Sequence, residues 1–293
     1  MPDLMSSTFE QLSTATADAV AAAADSLVAV HTARSRSSGF AWRDGLIVTC
    51  DEALPDDAEV TVCLPGGATA SAKLVGRDAG TDIALLRLEG ASPAPIVFDA
   101  APVRTGAFAL AIGSLAGAPV VAAGVVSLSG PGWRSLRGGE IDARIELGLT
   151  LRRLAEGGLA IDAKGRAIGM NVFGPRRRVL VIPGPTIDRV AAQLAAHGRV
   201  PRGYLGVGLQ PVKIEPEGIG AMVMAVDRDG PAARAGLHQG DVIVAWNGQP
   251  LRSVQALLRA LGPASVGTVV TMSLRRAGQS IEVKITIGER PAD

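Results

Sequence analysis

Side chains able to take a proton or attack a carbonyl near neutral pH are few in this sequence. There are three histidines, His31, His197 and His238, and two cysteines, Cys50 and Cys63. An imidazole beside a hydroxyl or thiol would support nucleophilic catalysis, and clustered His and Cys would suit zinc. Here the histidines stand far apart and each cysteine lies alone in an apolar stretch, so spacing spells out neither arrangement. Each histidine reads as structural and each cysteine as a buried strand thiol, with a disulfide left open. No metal and no other cofactor is implied. The densest charge run, Arg176-Arg177-Arg178, follows Gly174-Pro175 and reads as a solvated loop.

The chain that would position such groups has 293 residues, which suits two domains of ordinary size. It is 47% hydrophobic but only 3% aromatic, with 36 Gly and 18 Pro, a balance that favours short strands joined by tight turns. Lys and Arg (29) nearly cancel Asp and Glu (28), so no basic face is forced and nucleic acid is not an expected partner. The amino-terminal stretch MPDLMSSTFEQLSTATADAV is acidic early and lacks a continuous apolar run, and no later segment is long enough to span a bilayer. A cytoplasmic protein without a membrane span is the resulting expectation.

Residues Phe9 to Ala24 read as a helix. Strand-like runs follow at Leu27–Thr32, Leu46–Thr49, Glu59–Leu64, Ala72–Val75 and Ile83–Leu88, then at Phe108–Ile112, Val120–Leu128, Ala167–Val172 and Val179–Ile182. Two such sets suggest two packed barrels or sandwiches. Ile187, Val190, Ala191 and Leu194 then fall on one helical face, and the polar stretch Gly198 to Gly203 marks a domain boundary. Further strands are expected at Ala221–Val226, Asp241–Trp246, Val269–Leu274 and Ile281–Ile287. Ser253 is placed to cap a short helix running to Leu261.

Five segments, in order and spacing, resemble the HtrA/DegP-like serine proteases with a carboxy-terminal PDZ domain. They are Thr81–Gly90 (TDIALLRLEG), Ala109–Ser114 (ALAIGS), Gly124–Ser127 (GVVS), Gly198–Val212 (GRVPRGYLGVGLQPV) and Asp229–Leu251 (DGPAARAGLHQGDVIVAWNGQPL). The resemblance implies a mainly β chain: a helical segment over 1–25, a trypsin-like double β-barrel over 26–199, and an α/β PDZ domain over 200–293. It also implies a homo-oligomer, a trimer in many members, assembled through the amino-terminal segment, where Phe9 is the sole aromatic.

The family's chemistry uses a serine that attacks an amide, a histidine that takes its proton and an aspartate that orients the histidine. By resemblance Asp82 keeps the aspartate position. The histidine segment corresponds to Ile47–Leu54 (IVTCDEAL), which puts Glu52 in the histidine seat. The nucleophile segment corresponds to Leu154–Asp162 (LAEGGLAID), which puts Glu156 in the serine seat and Leu154 where a turn glycine is usual. Glu52 is a poor base for a hydroxyl near neutral pH, and Glu156 offers no hydroxyl or thiol to activate. If the fold is kept, these three acids converge. They are expected to share a proton, meet an arginine such as Arg152 or Arg153, turn to solvent at Glu156, or bind a cation.

The PDZ resemblance needs no catalytic group. Tyr204-Leu205-Gly206-Val207 corresponds to the loop whose N–H groups meet a peptide's terminal carboxylate, with Leu258 on the helix flanking the groove. The sequence therefore points to a non-catalytic, protease-like scaffold, regulator or holder that binds carboxy-terminal or unfolded protein segments. Two alternatives stand beside it: an active HtrA-type endopeptidase, and a carboxylate cluster that holds a cation.

Overall fold

Short apolar runs between Gly- and Pro-marked turns close into two barrels in a computed structural model that describes residues 2–56, 59–99, 101–135, 137–214 and 218–291. The chain divides into two units, Met1–Val200 and Pro201–Asp293.

In the first unit α1 (Pro2–Ala24) precedes β1 (Leu27–His31), β2 (Arg36–Arg43), β3 (Leu46–Thr49), β4 (Val60–Cys63), β5 (Thr69–Asp78) and β6 (Ile83–Leu88). These six strands close in the order β1-β2-β3-β6-β5-β4. Val28, Val30, Ile47 and Leu86 fill the interior with no exposed surface. Each such side chain contributes about 1.5–3 kcal/mol by leaving water.

The second barrel takes β7 (Phe108–Leu115), β8 (Ala118–Gly130), β11 (Arg144–Gly148), β12 (Leu159–Asp162), β13 (Ala167–Phe173) and β14 (Val179–Pro183), in the order β11-β14-β13-β12-β7-β8. A hairpin, β9 (Trp133–Arg134) and β10 (Glu140–Ile141), sits on the connection between β8 and β11. Helix α2 (Gly184–His197) then buries Ile187, Val190, Ala191 and Leu194. Gly198 ends it at φ 71°, a left-handed cap that glycine adopts without a Cβ clash. The Trp42 indole N–H donates to Asp188 Oδ1 at 2.6 Å and ties α2 to the first barrel.

Several sequence expectations need correction here. The first helix starts at Pro2 rather than Phe9, and Phe9 itself is exposed. Strands β2, β11 and β12 were not expected. Of these, β2 and β11 carry small or charged residues, Ser37, Ser38, Gly39 and Glu146, all of which the barrels bury. Cys50 and Cys63 are both buried and both free, which closes the disulfide question.

The second unit holds a sheet ordered β16-β17-β18-β20-β21, from β16 (Val207–Ile214), β17 (Gly218–Val226), β18 (Val242–Trp246), β20 (Val269–Arg276) and β21 (Gln279–Thr286). Strand β19 (Gln249–Pro250) pairs with β18, and β15 (Gly203–Tyr204) pairs with β22 (Gly288–Glu289). Helix α3 (Pro231–Arg234) is a single turn, and α4 (Val254–Ala260) packs against β16. Ser253 caps α4 as expected, its Oγ accepting the Ala256 N–H at 3.0 Å. Among the described residues no helix is long and apolar enough to cross a membrane.

Candidate functional site

Asp82 stands just before β6 with φ 59°, a left-handed conformation that costs a residue with a Cβ roughly 1–2 kcal/mol. Neighbouring turns hold it there. Asp78 accepts the Gly80 and Thr81 N–H groups and the Thr81 hydroxyl, which fixes the loop leading to Asp82. Beyond β3 the chain makes a tight turn over Asp51–Ala53. Within it, the Asp51 N–H donates to the Asp82 carbonyl at 3.3 Å and the Glu52 N–H donates to Asp82 Oδ1 at 2.8 Å. Glu52 thus sits beside Asp82 through its backbone, while its carboxylate reaches Arg137 at 3.2 Å.

Glu156 arrives from the other barrel on a second tight turn, Arg153–Ala155. Ser38, fully buried on β2, clamps that turn on both sides. Its hydroxyl donates to the Leu154 carbonyl at 2.6 Å and accepts the Ser114 N–H at 2.8 Å. Its own N–H donates to the Glu156 carbonyl at 2.8 Å. Gly157 follows at φ 81°, and a Cβ there would lie 2.3 Å from the Ser38 carbonyl oxygen. A Cβ on Gly158 would lie 2.1 Å from the Ile112 carbonyl. Only glycines fit, because the backbone passes directly between the two barrels.

The Glu156 side chain is buried, with 6% of its surface exposed. The expectation that it turns to solvent is therefore corrected. The Ser38 clamp fixes the turn so that the carboxylate points inward, where the Phe173 N–H faces Oε1 at 3.4 Å. Burial pushes its pKa up. The Phe173 N–H and the charges of Arg153 and Arg177 oppose that rise, while Glu52 adds to it. Of the two arginines expected nearby, Arg153 is electrostatically engaged, and Arg177 joins it.

Asp82 is shifted further. Burial raises its carboxyl to about 7, against the pull of the Glu52 N–H, and the charges of Glu52, Glu156 and Asp51 push the same way as burial. Burial likewise raises the Cys50 thiol well above its ordinary value, helped by Asp82 and Glu156, so Cys50 is no thiolate nucleophile. The structure thus brings Glu52, Asp82 and Glu156 into one electrostatic neighbourhood. Yet among the described residues no group of three or more His, Cys, Asp or Glu side chains is arranged to hold a metal ion. The cation alternative lacks a ligand set.

Amide hydrolysis needs a base, a nucleophile and donors for the oxyanion. His31 ends β1, His197 lies in the last turn of α2 and His238 belongs to the second unit. No hydrogen bond links any histidine side chain to a serine among the described residues. The Glu156 N–H, which would face a developing oxyanion, donates instead to the Arg153 carbonyl at 3.1 Å, and the Ala155 N–H donates to the Arg152 carbonyl at 2.9 Å. Sequence reasoning missed Ser38, Phe173 and Arg177. The signal for Ser38 was a pair of serines before Gly39 in an apolar context.

In the second unit, Tyr204, Leu205, Gly206 and Val207 form the approach to β16. Leu205 is buried, and its carbonyl accepts the Ala232 N–H at 2.8 Å. Gly206 takes φ 73°, and its carbonyl accepts the Asp227 N–H at 2.9 Å. The Tyr204 hydroxyl donates to Asp227 Oδ2. Strand β16 lies at the end of the strand order, with one edge unpaired within the sheet. On α4, Leu257 is buried in the core, whereas Leu258 is 57% exposed.

The family model "Trypsin-like peptidase domain" matches residues 37–170 and "PDZ domain" matches 203–287. A Brucella suis protein named "Probable periplasmic serine endoprotease DegP-like" is 33% identical over 278 residues, covering 88% of this chain and 53% of that protein. A like-named protein of Rhizobium meliloti is 31% identical over 277 residues, covering 89% and 54%. The chain thus spans about half the length of the curated relatives it matches. Among solved structures, the serine endoprotease from Yersinia pestis superposes with a TM-score of 0.74 at 29% identity, over 93% of this chain and 97% of that one. The HtrA-type protease AlgW with tripeptide gives 0.71 at 28%, over 94% and 98%.

The word periplasmic in the relatives' names overturns the cytoplasmic expectation. That expectation rested on the make-up of one amino-terminal stretch. Such a stretch reports what it packs against, here as helix α1, and not the compartment. The fold, the two matched domains and the relatives agree: this chain belongs to the HtrA/DegP-like family, with a trypsin-like peptidase domain followed by a PDZ domain.

Proposed function

We propose that this chain is a non-catalytic member of its family, a periplasmic scaffold that holds carboxy-terminal or unfolded segments of other proteins through its PDZ domain. One observation supports the reading: the two acids that the resemblance puts in the histidine and serine seats both act on Asp82, with the Glu52 N–H on Asp82 Oδ1 at 2.8 Å and Glu156 buried. A carboxylate can neither attack an amide as a hydroxyl does nor take that hydroxyl's proton efficiently, and negative charge beside an oxyanion raises the barrier. Peptide binding asks only for the Gly206 loop, the open edge of β16 and the flanking α4, with Leu258 as a groove residue.

A second reading, an active serine endopeptidase, is favoured by the names of the relatives. The two part on one assay. Incubation with a fluorescently quenched unfolded protein is expected to give no release, and a fluorophosphonate probe is expected to leave the chain unlabelled. Turnover that survives Glu156→Ala yet is blocked by the probe would establish the second reading. The combined change Glu52→His, Glu156→Ser and Leu154→Gly is expected to bring back weak hydrolysis.

A further inference from the structure

Two short turns of the first unit carry arginines that no carboxylate takes up. Arg152 and Arg153 open the turn that delivers Glu156, and Arg176 and Arg177 lie on the turn Pro175–Arg177 after β13. All four are exposed. The next residue, Arg178, behaves differently: it pairs with Glu146 at 3.3 Å, an acid that Arg144 also holds at 2.6 Å. Among the described residues none of the four forms an ion pair within 4.0 Å.

The turns meet around one group. The Glu156 carboxylate lies in the field of both Arg153 and Arg177. Its Oε1 faces the Phe173 N–H at 3.4 Å, and the Arg177 guanidinium sits 4.6 Å over the Phe173 ring. Arg176 and Arg177 are consecutive left-handed residues, φ 58° and 57°, a conformation that side chains other than glycine adopt only when surroundings impose it. Two guanidinium groups, Arg153 and Arg177, thus act on Glu156, and Arg152 and Arg176 are their exposed chain neighbours, which concentrates positive charge on these turns although the whole chain is nearly neutral.

We propose that Arg153 and Arg177, with their exposed neighbours Arg152 and Arg176, form a recognition rim beside Glu156 for an acidic stretch of a partner polypeptide. The guanidinium fork matches a carboxylate's two oxygens, so Asp and Glu side chains of the partner are the fitting ligands. A polyphosphate chain fits less well. It carries a charge at every repeat and would run against Glu52, whose side chain is half exposed and whose charge is felt at Glu156. A peptide spaces its carboxylates along a neutral backbone and can leave Glu52 clear. This assignment goes beyond the PDZ reading and holds whether or not the cleft cuts.

The test uses the full chain and fluorescence anisotropy. The probe is a labelled peptide of alternating Glu and Ala, acetylated and amidated so that it offers no terminal carboxylate to the PDZ domain. Its Gln–Ala counterpart and an oligothymidylate are run beside it. Binding of the Glu peptide alone is expected, weakening with salt and falling about tenfold or more in Arg153→Glu/Arg177→Glu, with the same direction in the milder Gln pair. Arg104→Glu, on an exposed loop, is expected to bind as the parent does, and circular dichroism checks that every variant is folded. Equal binding of the Glu and Gln peptides, unchanged binding in both pairs of variants, or binding of oligothymidylate alone would overturn the proposal. Cleavage of a bound Glu peptide counts against the non-catalytic reading and supports the rim.

Discussion

Asp241 in the second unit and Asp82 in the first are both carboxylates drawn away from water, and their surroundings push them in opposite directions. Asp241 is 1% exposed and receives two guanidinium N–H groups of Arg276, each at 2.8 Å, together with the His238 N–H at 2.8 Å. Arg276 leads in lowering its pKa. Asp82 receives one backbone N–H and faces Glu52, Glu156 and Asp51, and burial raises it to about 7. The difference teaches which acid is architecture. A paired buried charge is held near break-even and is costly to lose by halves; an acid shielded among other acids costs stability and persists where the site, not the core, dictates the residue.

The contrast can be broken most sharply at Asp241. Replacing it with Ala leaves Arg276 without its bidentate partner and is expected to cost about 3 kcal/mol, read as faster hydrogen exchange across β18 and β20. A depressed pKa means that this contribution is present above the ordinary carboxylate range and lost as pH falls through the folded value. If exchange in the second unit is unchanged, Asp241 is not the brace described here.

Asp82→Asn sharpens the other side. Asn keeps an oxygen for the Glu52 N–H and tolerates a left-handed backbone, but carries no charge. For Asp82 the sign is reversed: the neutral acid supports the fold fully below about 4, and that support is lost as pH rises through about 7. The variant is therefore expected to be more stable than the parent by roughly 2–3 kcal/mol at pH 8 and equal to it at pH 4, in urea unfolding followed by tryptophan fluorescence. Parallel curves across that range would remove the electrostatic account of the pocket.

Ser38→Ala gives the smallest of the three effects. It leaves the Leu154 carbonyl and the Ser114 N–H without their partner and is expected to cost about 2 kcal/mol in the same unfolding experiment. Because the clamp holds the turn before Glu156, the Asp82 titration followed by NMR is expected to move with it. A stability loss with an unmoved titration would make Ser38 an ordinary core hydrogen bond.

Much of this architecture was legible along the chain. Ile83–Leu88 and Leu46–Thr49 read as strands because their apolar runs are bounded by turn residues, and both take those bounds in the structure. Ile187, Val190, Ala191 and Leu194 gave α2 its buried face by spacing alone. Strand β2 was not legible. Arg36–Arg43 contains Ser37, Ser38 and Gly39, small polar residues that signal a turn locally but are buried by the neighbouring strands. Nor does local sequence account for the buried Glu146 on β11, whose charge is met by Arg144 and Arg178 from the folded barrel.

The sequence by itself carried the resemblance that assigns Glu52, Asp82 and Glu156 to the three seats, since order and spacing of motifs are properties of the chain. It also determined the capping of α4, where the controlling contact lies within three residues. Only the tertiary structure decided that Glu156 turns inward, that Ser38 fixes its turn and that Arg153 and Arg177 reach it from separate turns. Those outcomes depend on contacts between segments more than a hundred residues apart for Ser38 and Leu154, which no local pattern encodes. Burial, and with it the protonation of Asp82, exists only once the two barrels have closed around the site.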